Sequence, residues 1–144
     1  MRKDWLTDSM RKTVAVYVNY RHNMSHKNED VLLSLKDEPF VLLPNHKSWK
    51  DIILEGMLLK DVLGRNANYI MKSSLPGKKF LEYLGGVWVS RGKDIRKLNN
   101  GERAKAIEDA RERGRLVYQE IIPNLISNKE IIVCHPEGTR NNGE

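Results

Sequence analysis

Residues 39–64, PFVLLPNHKSWKDIILEGMLLKDVLG, contain the change of pattern that decides the fold. They begin with a short apolar run bounded by Pro39 and Pro44, which is typical of a buried strand. A polar turn follows, and residues 49–63 then repeat apolar side chains at helical spacing until Gly64, where a helix is expected to stop. The stretch therefore predicts one strand that leads through a polar turn into one helix.

The same alternation continues towards the C-terminus. The predicted segments are strands at 67–71, within 85–90 and at 130–134, and helices at 75–84 and from about 102 to 127. Pro123 is expected to kink or end the last helix early. Strands alternating with helices predict an α/β fold, a single domain with a largely parallel sheet flanked by helices. Ligand sites in such sheets collect beyond the carboxyl ends of the strands.

An N-terminal segment, residues 1–37, is expected to precede the α/β domain of residues 38–144. Residues 1 to about 23 repeat apolar side chains at helical spacing among basic ones, which predicts an amphipathic helix followed by a connector. Two interpretations of this helix stay open. It packs on the domain, or it lies in a membrane interface, where Trp5 and the basic residues suit anionic headgroups.

Composition limits the classes of function. The 144 residues fit one domain, and 25 basic against 19 acidic residues leave a net charge of +6, which favours anionic partners such as phospholipid headgroups or coenzyme A. Nucleic acid is not an expected partner, because the basic residues are scattered among acidic ones and no recognised nucleic-acid motif occurs. The one cysteine, Cys134, excludes an intrachain disulfide and is expected to be a buried strand thiol.

Apolar runs in the chain are far shorter than the roughly 20 residues that a helical membrane span needs. No signal peptide is recognisable, so the sequence predicts a protein on the cytoplasmic side without a transmembrane segment. Neither a metal-ligand constellation nor a nucleotide phosphate loop occurs, and no metal or cofactor is expected.

The first polar cluster, Asn45–Asp51, follows the strand of residues 39–44. His46 leaves the strand and Asp51 enters the helix, so the turn can fold the carboxylate back onto the imidazole. An aspartate that accepts the Nδ1 proton holds the ring in one tautomer and leaves Nε2 able to take a proton from a hydroxyl. The competing interpretation is an N-cap aspartate beside a surface histidine.

Two further clusters follow later strands. The glycine pair 85–86 allows close approach of backbone or ligand, and Arg91 ends the same strand with a guanidinium, which suits phosphate. The run Pro136–Arg140 follows the last strand and offers an acid, a flexible turn, a hydroxyl and a second guanidinium. Each run by itself is also compatible with a solvated, charged turn.

In order and in sequence, the three clusters resemble motifs of the glycerolipid acyltransferase family that includes the 1-acylglycerol-3-phosphate acyltransferases. That family carries Asn-His-x4-Asp, Gly-x-x-Phe-x-x-Arg and Phe-Pro-Glu-Gly-Thr-Arg, and this chain has the counterparts 45–51, 85–91 and 135–140. Trp88 replaces the phenylalanine. His135 replaces the aromatic before Pro136; it could be a polar residue that lines the site, but it is expected to substitute for a packing ring. The family usually continues well beyond Arg140, so the sequence is expected to be truncated at its C-terminus.

This resemblance implies a role for each matched residue. His46 would be the general base on the acceptor hydroxyl, and Asp51 would orient His46 and stabilise its charge. The implied acceptor-binding residues are Arg91, Glu137, Gly138, Thr139 and Arg140. The acyl donor would be acyl-CoA or an acyl carrier protein thioester, and the acceptor lysophosphatidic acid or a related lysophospholipid. Such a protein would serve phospholipid biosynthesis in peripheral contact with an anionic membrane.

The alternative is a non-catalytic truncated domain that binds membrane or phospholipid without turnover. An intact His46–Asp51 pair opposes this alternative, and the missing C-terminal part favours it.

Overall fold

In a computed structural model of the chain, residues 4–21, 27–45 and 48–135 are described. The helices are α1 Asp4–Arg21, α2 Glu29–Leu33, α3 Trp49–Leu63, α4 Lys78–Tyr83, α5 Gly92–Ile95, α6 Asn100–Leu116 and α7 Ile122–Ser127. The strands are β1 Phe40–Leu42, β2 Ala67–Lys72, β3 Gly86–Val89 and β4 Ile131–Val133.

The four strands form one sheet in the order β1-β4-β2-β3. All three neighbouring pairs are parallel, with Leu42 opposite Val133, Tyr69 opposite Val133 and Ile70 opposite Val87. The predicted α/β fold with a parallel sheet flanked by helices is therefore confirmed. Because the pairs are parallel, every strand ends at the same edge of the sheet.

Strand β1 differs from its prediction as a buried strand. In the four-stranded sheet it pairs with β4 alone, and the side chain of Val41 is 56% exposed. An apolar run between prolines indicates a strand but not its place in the sheet. Here that place is an edge, and the last strand in the chain, β4, takes the buried position beside it.

The core lies where α3 packs on the two central strands. Leu59 and Leu63 of α3 are buried against Ile131 and Val133 of β4, with Tyr69 of β2 in the same cluster. All three residues of β4 are buried. This packing fixes the position of α3 against the outgoing end of β4.

The last helical stretch is interrupted, as Pro123 led us to expect. The side chain of Asn99 accepts the Glu102 N–H over 3.0 Å and begins α6 two residues earlier than predicted. Between α6 and α7, residues Val117–Ile121 form a π-helical turn directly before Pro123. Proline lacks the N–H that continues a helical ladder, and a π turn is one way to accommodate its loss.

Arg65 joins three segments of the fold. Its Nη1 donates to the carbonyl oxygens of Leu35, Lys36 and Glu38, over 3.2, 2.7 and 2.8 Å, and its Nη2 donates to that of Lys129. The guanidinium also lies 5.8 Å from the centre of the Phe40 ring, which is cation–π distance. One side chain thus links the α2–β1 connector to the turn that precedes β4.

The helix α1 contacts the domain through its acidic side chains. Asp8 pairs with Lys60 over 3.0 Å, and Asp4 accepts a hydrogen bond from Asn66 over 3.0 Å. These contacts support the interpretation in which the helix packs on the domain. Trp5 and Val16 remain exposed. Within the described residues, none of the helices is long and apolar enough to cross a membrane.

Candidate active site

The first and third predicted clusters follow the carboxyl ends of β1 and β4, and Arg91 of the second cluster follows that of β3; these strand ends share one edge of the sheet. Asn45, Asp51 and Arg91 are described there, with His135 at the end of β4. His46 and residues 136–140, which include the predicted ligands Glu137, Gly138, Thr139 and Arg140, lie outside the described residues.

Asp51 is held at the start of α3 by a capping box. Its Oδ2 accepts the backbone N–H of Ser48 over 2.6 Å, while the Ser48 side chain accepts a backbone N–H of the first helical turn. The aspartate is therefore the third residue of the helix and not its N-cap. A carboxylate offers about four lone-pair sites, so capping and an imidazole contact are compatible. The box orients the carboxylate at the end of the turn that contains residue 46.

Arg91 makes a two-point ion pair with Asp94. The Nε donates to Oδ2 over 2.7 Å and Nη2 donates to Oδ1 over 2.9 Å. Two parallel bonds fix the plane of the guanidinium, which a single contact would not do. The pair uses two of the five N–H donors of the arginine.

Other cations surround Asp94. The hydrogen bond from Arg91 is the main reason that the pKa of Asp94 is lowered. Burial opposes it as the next largest effect, and the charges of Arg91, Lys72 and Lys93 each lower the pKa further. Lys72 ends β2 opposite Val89 of β3. Three cations near one carboxylate leave a local positive excess at this edge, as a phosphate site requires.

The glycine pair before Arg91 behaves as predicted. Gly85 has a φ of 97°, a conformation that residues with a Cβ rarely adopt. A Cβ on Gly86 would lie 2.9 Å from the carbonyl oxygen of Leu81, so α4 packs its backbone directly on the start of β3. Trp88, in the slot of the motif's phenylalanine, is buried.

His135 forms a contact that its sequence position did not suggest. Its Nε2 lies 3.1 Å from Oε1 of Glu55 in α3, and the two side chains are only 10% and 11% exposed. The expectation that this ring merely replaces a packing aromatic is therefore incomplete, because the ring also has a buried polar partner. Glu55 was missed because a glutamate within a helical pattern gives no local sign of a partner 80 residues away.

Tyr69 adds a third polar group beside Glu55. Its hydroxyl donates to the carbonyl oxygen of Ile52 over 3.2 Å. Burial, with a further contribution from the charge of Glu55, raises the pKa of the Tyr69 hydroxyl above its ordinary value. Cys134, one residue past β4, is half-buried rather than fully buried, and burial raises the pKa of its thiol.

Strand order sets the spacing of the site. β4 adjoins β1, so Cys134 continues the pairing and donates its backbone N–H to Leu42 over 3.0 Å. β3 lies three strand positions from β1, which places Arg91 about 14 Å from the end of β1 at the usual inter-strand distance. The strands β4 and β2 lie between them.

Two cavities in the described part of the chain lie elsewhere. The larger, about 800 Å³, is lined by Asn68, Gly86 and Glu130 among others, and the smaller, about 310 Å³, by Gly64 and Lys129 among others. These residues lie near the amino ends of the strands, opposite the motif edge. We place the site at the carboxyl edge because the ion pair, the capping box and the parallel strand ends coincide there.

No group of three or more His, Cys, Asp or Glu side chains is placed to hold a metal ion within the ranges that the structure describes.

The acyltransferase family model matches residues 15–144 of the chain. The chain belongs to the acyltransferase family. The resemblance to the glycerolipid acyltransferases is thereby confirmed at the level of the family. Comparison with curated proteins and with solved structures gave no match. The acyltransferase match includes residues 45–51, 85–91 and 135–140, the counterparts of the three motifs.

Proposed function

We propose that this acyltransferase moves a fatty acyl group from a thioester donor, acyl-CoA or acyl carrier protein, to the free hydroxyl of lysophosphatidic acid or a related lysophospholipid. The observation that carries the proposal is the carboxylate of Asp51, held by the capping box in the first turn of α3, five residues after His46 in sequence. The family match supports acyl transfer in general, and the chemistry of the edge supports a phosphorylated acceptor.

His46 acts as general base on the acceptor hydroxyl. As the proton passes to the imidazole, the hydroxyl oxygen attacks the thioester carbonyl carbon and an ester bond forms. The carbon–sulfur bond breaks, and the thiolate leaves with the proton that the imidazole returns. No acyl-enzyme is needed because the thioester is already activated.

Asp51 orients the imidazole and stabilises the imidazolium. The capping box gives the carboxylate a fixed direction before substrate binds, so reorganisation during the proton transfer is small. A positioned general base contributes about 10²–10⁴ in rate. Loss of His46 should therefore be far costlier than loss of any single surface lysine.

Arg91 binds the phosphate of the acceptor. Its guanidinium is oriented by Asp94 and lies in the positive field of Lys72. Glu137, Gly138, Thr139 and Arg140 complete the acceptor site in this proposal, since they follow β4, which adjoins β1. The acceptor then extends from the phosphate near Arg91 towards the hydroxyl near His46.

Membrane contact is part of the proposal. The net charge of +6 and the exposed Trp5 and Val16 of α1 favour a peripheral position on an anionic membrane, on the cytoplasmic side. The lysophospholipid acceptor resides in that surface. Phospholipid biosynthesis is the process that such a reaction serves.

The test is thiol release from acyl-CoA and from acyl carrier protein thioesters, with lysophosphatidic acid, glycerol 3-phosphate or a neutral monoacylglycerol as acceptor. His46→Ala and Asp51→Asn are compared with the exposed control Lys105→Ala. We expect acceptor-dependent thiol release that His46→Ala lowers at least a hundredfold and Lys105→Ala leaves within twofold. Release that does not depend on His46 would refute the proposed role of the histidine. Vesicle binding without any turnover would replace the proposal with a non-catalytic phospholipid-binding domain.

A further inference from the structure

Glu55 and His135 form a polar contact buried between α3 and the end of β4. Their 3.1 Å bond joins two elements that are 80 residues apart in sequence. With Glu55 ionised, its oxygens only accept, so Nε2 of His135 carries the proton and donates it. At 10% and 11% exposure the pair is little screened by solvent, and its direction is enforced more strongly than at the surface.

The two bonded residues lie close in sequence to two parts of the proposed site. Glu55 lies four residues after Asp51, one turn further along α3 and on the same side of the helix. His135 is the residue directly before the segment 136–140. The bond therefore connects the helix that holds Asp51 to the start of the segment proposed to hold the acceptor.

We propose that Glu55 and His135 are positioning residues, whose hydrogen bond holds the outgoing end of β4, and with it the residue from which the proposed acceptor segment continues, at a fixed distance from the base-orienting carboxylate of Asp51. The inference rests on the proposed function for its catalytic consequence, and on the described contact for its structural one. A displacement of about 1 Å between reacting groups can cost about a hundredfold in rate. A directional bond at this junction limits such displacement.

Packing alone does not account for the pair. Burial of a histidine and a glutamate costs desolvation that an apolar ring against an apolar side chain would avoid. What a hydrogen bond adds is direction, because it constrains both the distance and the angle between its groups. Removal of one partner would leave the other buried without that direction.

The test compares four variants of the full chain. Glu55→Gln keeps the shape and an accepting oxygen, Glu55→Leu removes the acceptor, and His135→Phe keeps a ring and removes the donor. Glu112→Leu, on the exposed face of α6, is the matched control. Each is measured per folded molecule for kcat and KM towards acceptor and donor, and by hydrogen–deuterium exchange of the peptide spanning residues 131–144.

We expect Glu55→Leu and His135→Phe to lower kcat/KM for the acceptor about 10- to 100-fold, with the donor KM within twofold. Glu55→Gln should recover the wild-type value to within about threefold, and Glu112→Leu should match wild type. Exchange in 131–144 should quicken in Glu55→Leu and His135→Phe only. A purely structural role would lower the melting temperature and leave acceptor kcat/KM per folded molecule unchanged, and that result would overturn the inference.

Failure of the proposed function is distinguishable from failure of this inference. Absence of His46-dependent transfer in the wild-type chain refutes the function, while the exchange data still judge the contact. Faster exchange in Glu55→Leu but not in Glu55→Gln supports the positioning bond. Unchanged exchange in Glu55→Leu, or equal loss in Glu55→Gln and Glu55→Leu, refutes it.

Discussion

Arg91 and Asp94 share two parallel hydrogen bonds, 2.7 and 2.9 Å long, one helical turn beyond the end of β3. A lysine at position 91 would keep the charge and lose the two-point geometry. We expect Arg91→Lys to lower kcat/KM for a phosphorylated acceptor about tenfold and to leave a neutral acceptor unaffected. Arg96→Lys, at an exposed position nearby, is the control and should change neither value. Equal losses with both acceptors would contradict a phosphate role.

The same pair predicts a dependence on pH. Since the folded state lowers the pKa of Asp94, the pair stabilises the protein above the ordinary carboxyl pKa, and this stabilisation is lost as pH falls through the lowered value. Arg91→Gln should raise the pKa of Asp94 towards its ordinary value. We expect wild type and Arg91→Gln to differ in urea stability by at most about 1 kcal/mol at pH 7, given the partial exposure of Asp94, and to converge once the pH falls below the lowered pKa of Asp94. A difference that grew on acidification would contradict the pairing.

The Tyr69 hydroxyl leaves little room for a side chain at Gly56, because a Cβ on Gly56 would lie 3.0 Å from the hydroxyl oxygen. Alanine in a helix is otherwise favoured over glycine by about 1 kcal/mol. We expect the change in the free energy of unfolding caused by Gly56→Ala, measured in urea, to be at least about 0.5 kcal/mol less favourable in wild type than in the Tyr69→Phe background. Gly114→Ala, where nothing lies near the new Cβ, should stabilise in both backgrounds. If the changes in unfolding free energy at positions 56 and 69 were additive, the Tyr69 hydroxyl would move aside without measurable cost.

Among the basic residues at the surface, Arg65 is expected to contribute most to the free energy of unfolding. Its guanidinium serves four backbone carbonyls of two separate segments. Arg65→Met keeps much of the side-chain volume but none of the donors, and should lower the free energy of unfolding by about 2–4 kcal/mol. Arg111→Met, on the exposed face of α6, should stay within about 0.5 kcal/mol. Similar losses in the two variants would deny Arg65 its linking role.

Gly86 allows α4 to lie directly on the first residue of β3. In Gly86→Ala the new Cβ would press on the backbone of Leu81, at 2.9 Å from its oxygen and 3.2 Å from its carbon. Backbone cannot rotate away as a side chain would, so we expect a loss of about 1–3 kcal/mol in unfolding free energy. Gly101→Ala meets only an ordinary contact and serves as the control. An unchanged melting temperature for Gly86→Ala would mean that α4 shifts without cost.

Local pattern predicted most elements well. The helix from residue 49 to the stop at Gly64 was confirmed to the residue, with Gly64 at a φ of 71°. The helix predicted from residue 75 begins only at Lys78, because Gly77 in a left-handed conformation caps it and Pro76 lies outside. A helix boundary of this kind depends on the backbone conformation of one residue, here Gly77, and the residue types around Pro76 do not predict that conformation.

The sequence correctly predicted where Arg91 and Asp51 lie in the secondary structure, while the roles of these two residues stay predictions. Arg91 lies just past the outgoing end of β3, and Asp51 lies in the first turn of α3. Asp94 was available from the spacing of Arg91 and Asp94, three residues apart, which suits a pair on one helical turn. The contact of Glu55 could not be predicted from local sequence, because its partner His135 lies on another element. His46 and residues 136–140 stay predictions.

By itself, the sequence determined the alternation of strands and helices, the parallel α/β class and the family, because these depend on short-range periodicity and contiguous motifs. Tertiary structure alone decided that β4 enters between β1 and β2, that β1 lies at the edge, that Arg65 links two segments, and that Glu55 meets His135. Strand order and long-range polar contacts follow from how apolar faces pack together. Packing is a property of the whole chain, and no local stretch of residues encodes it.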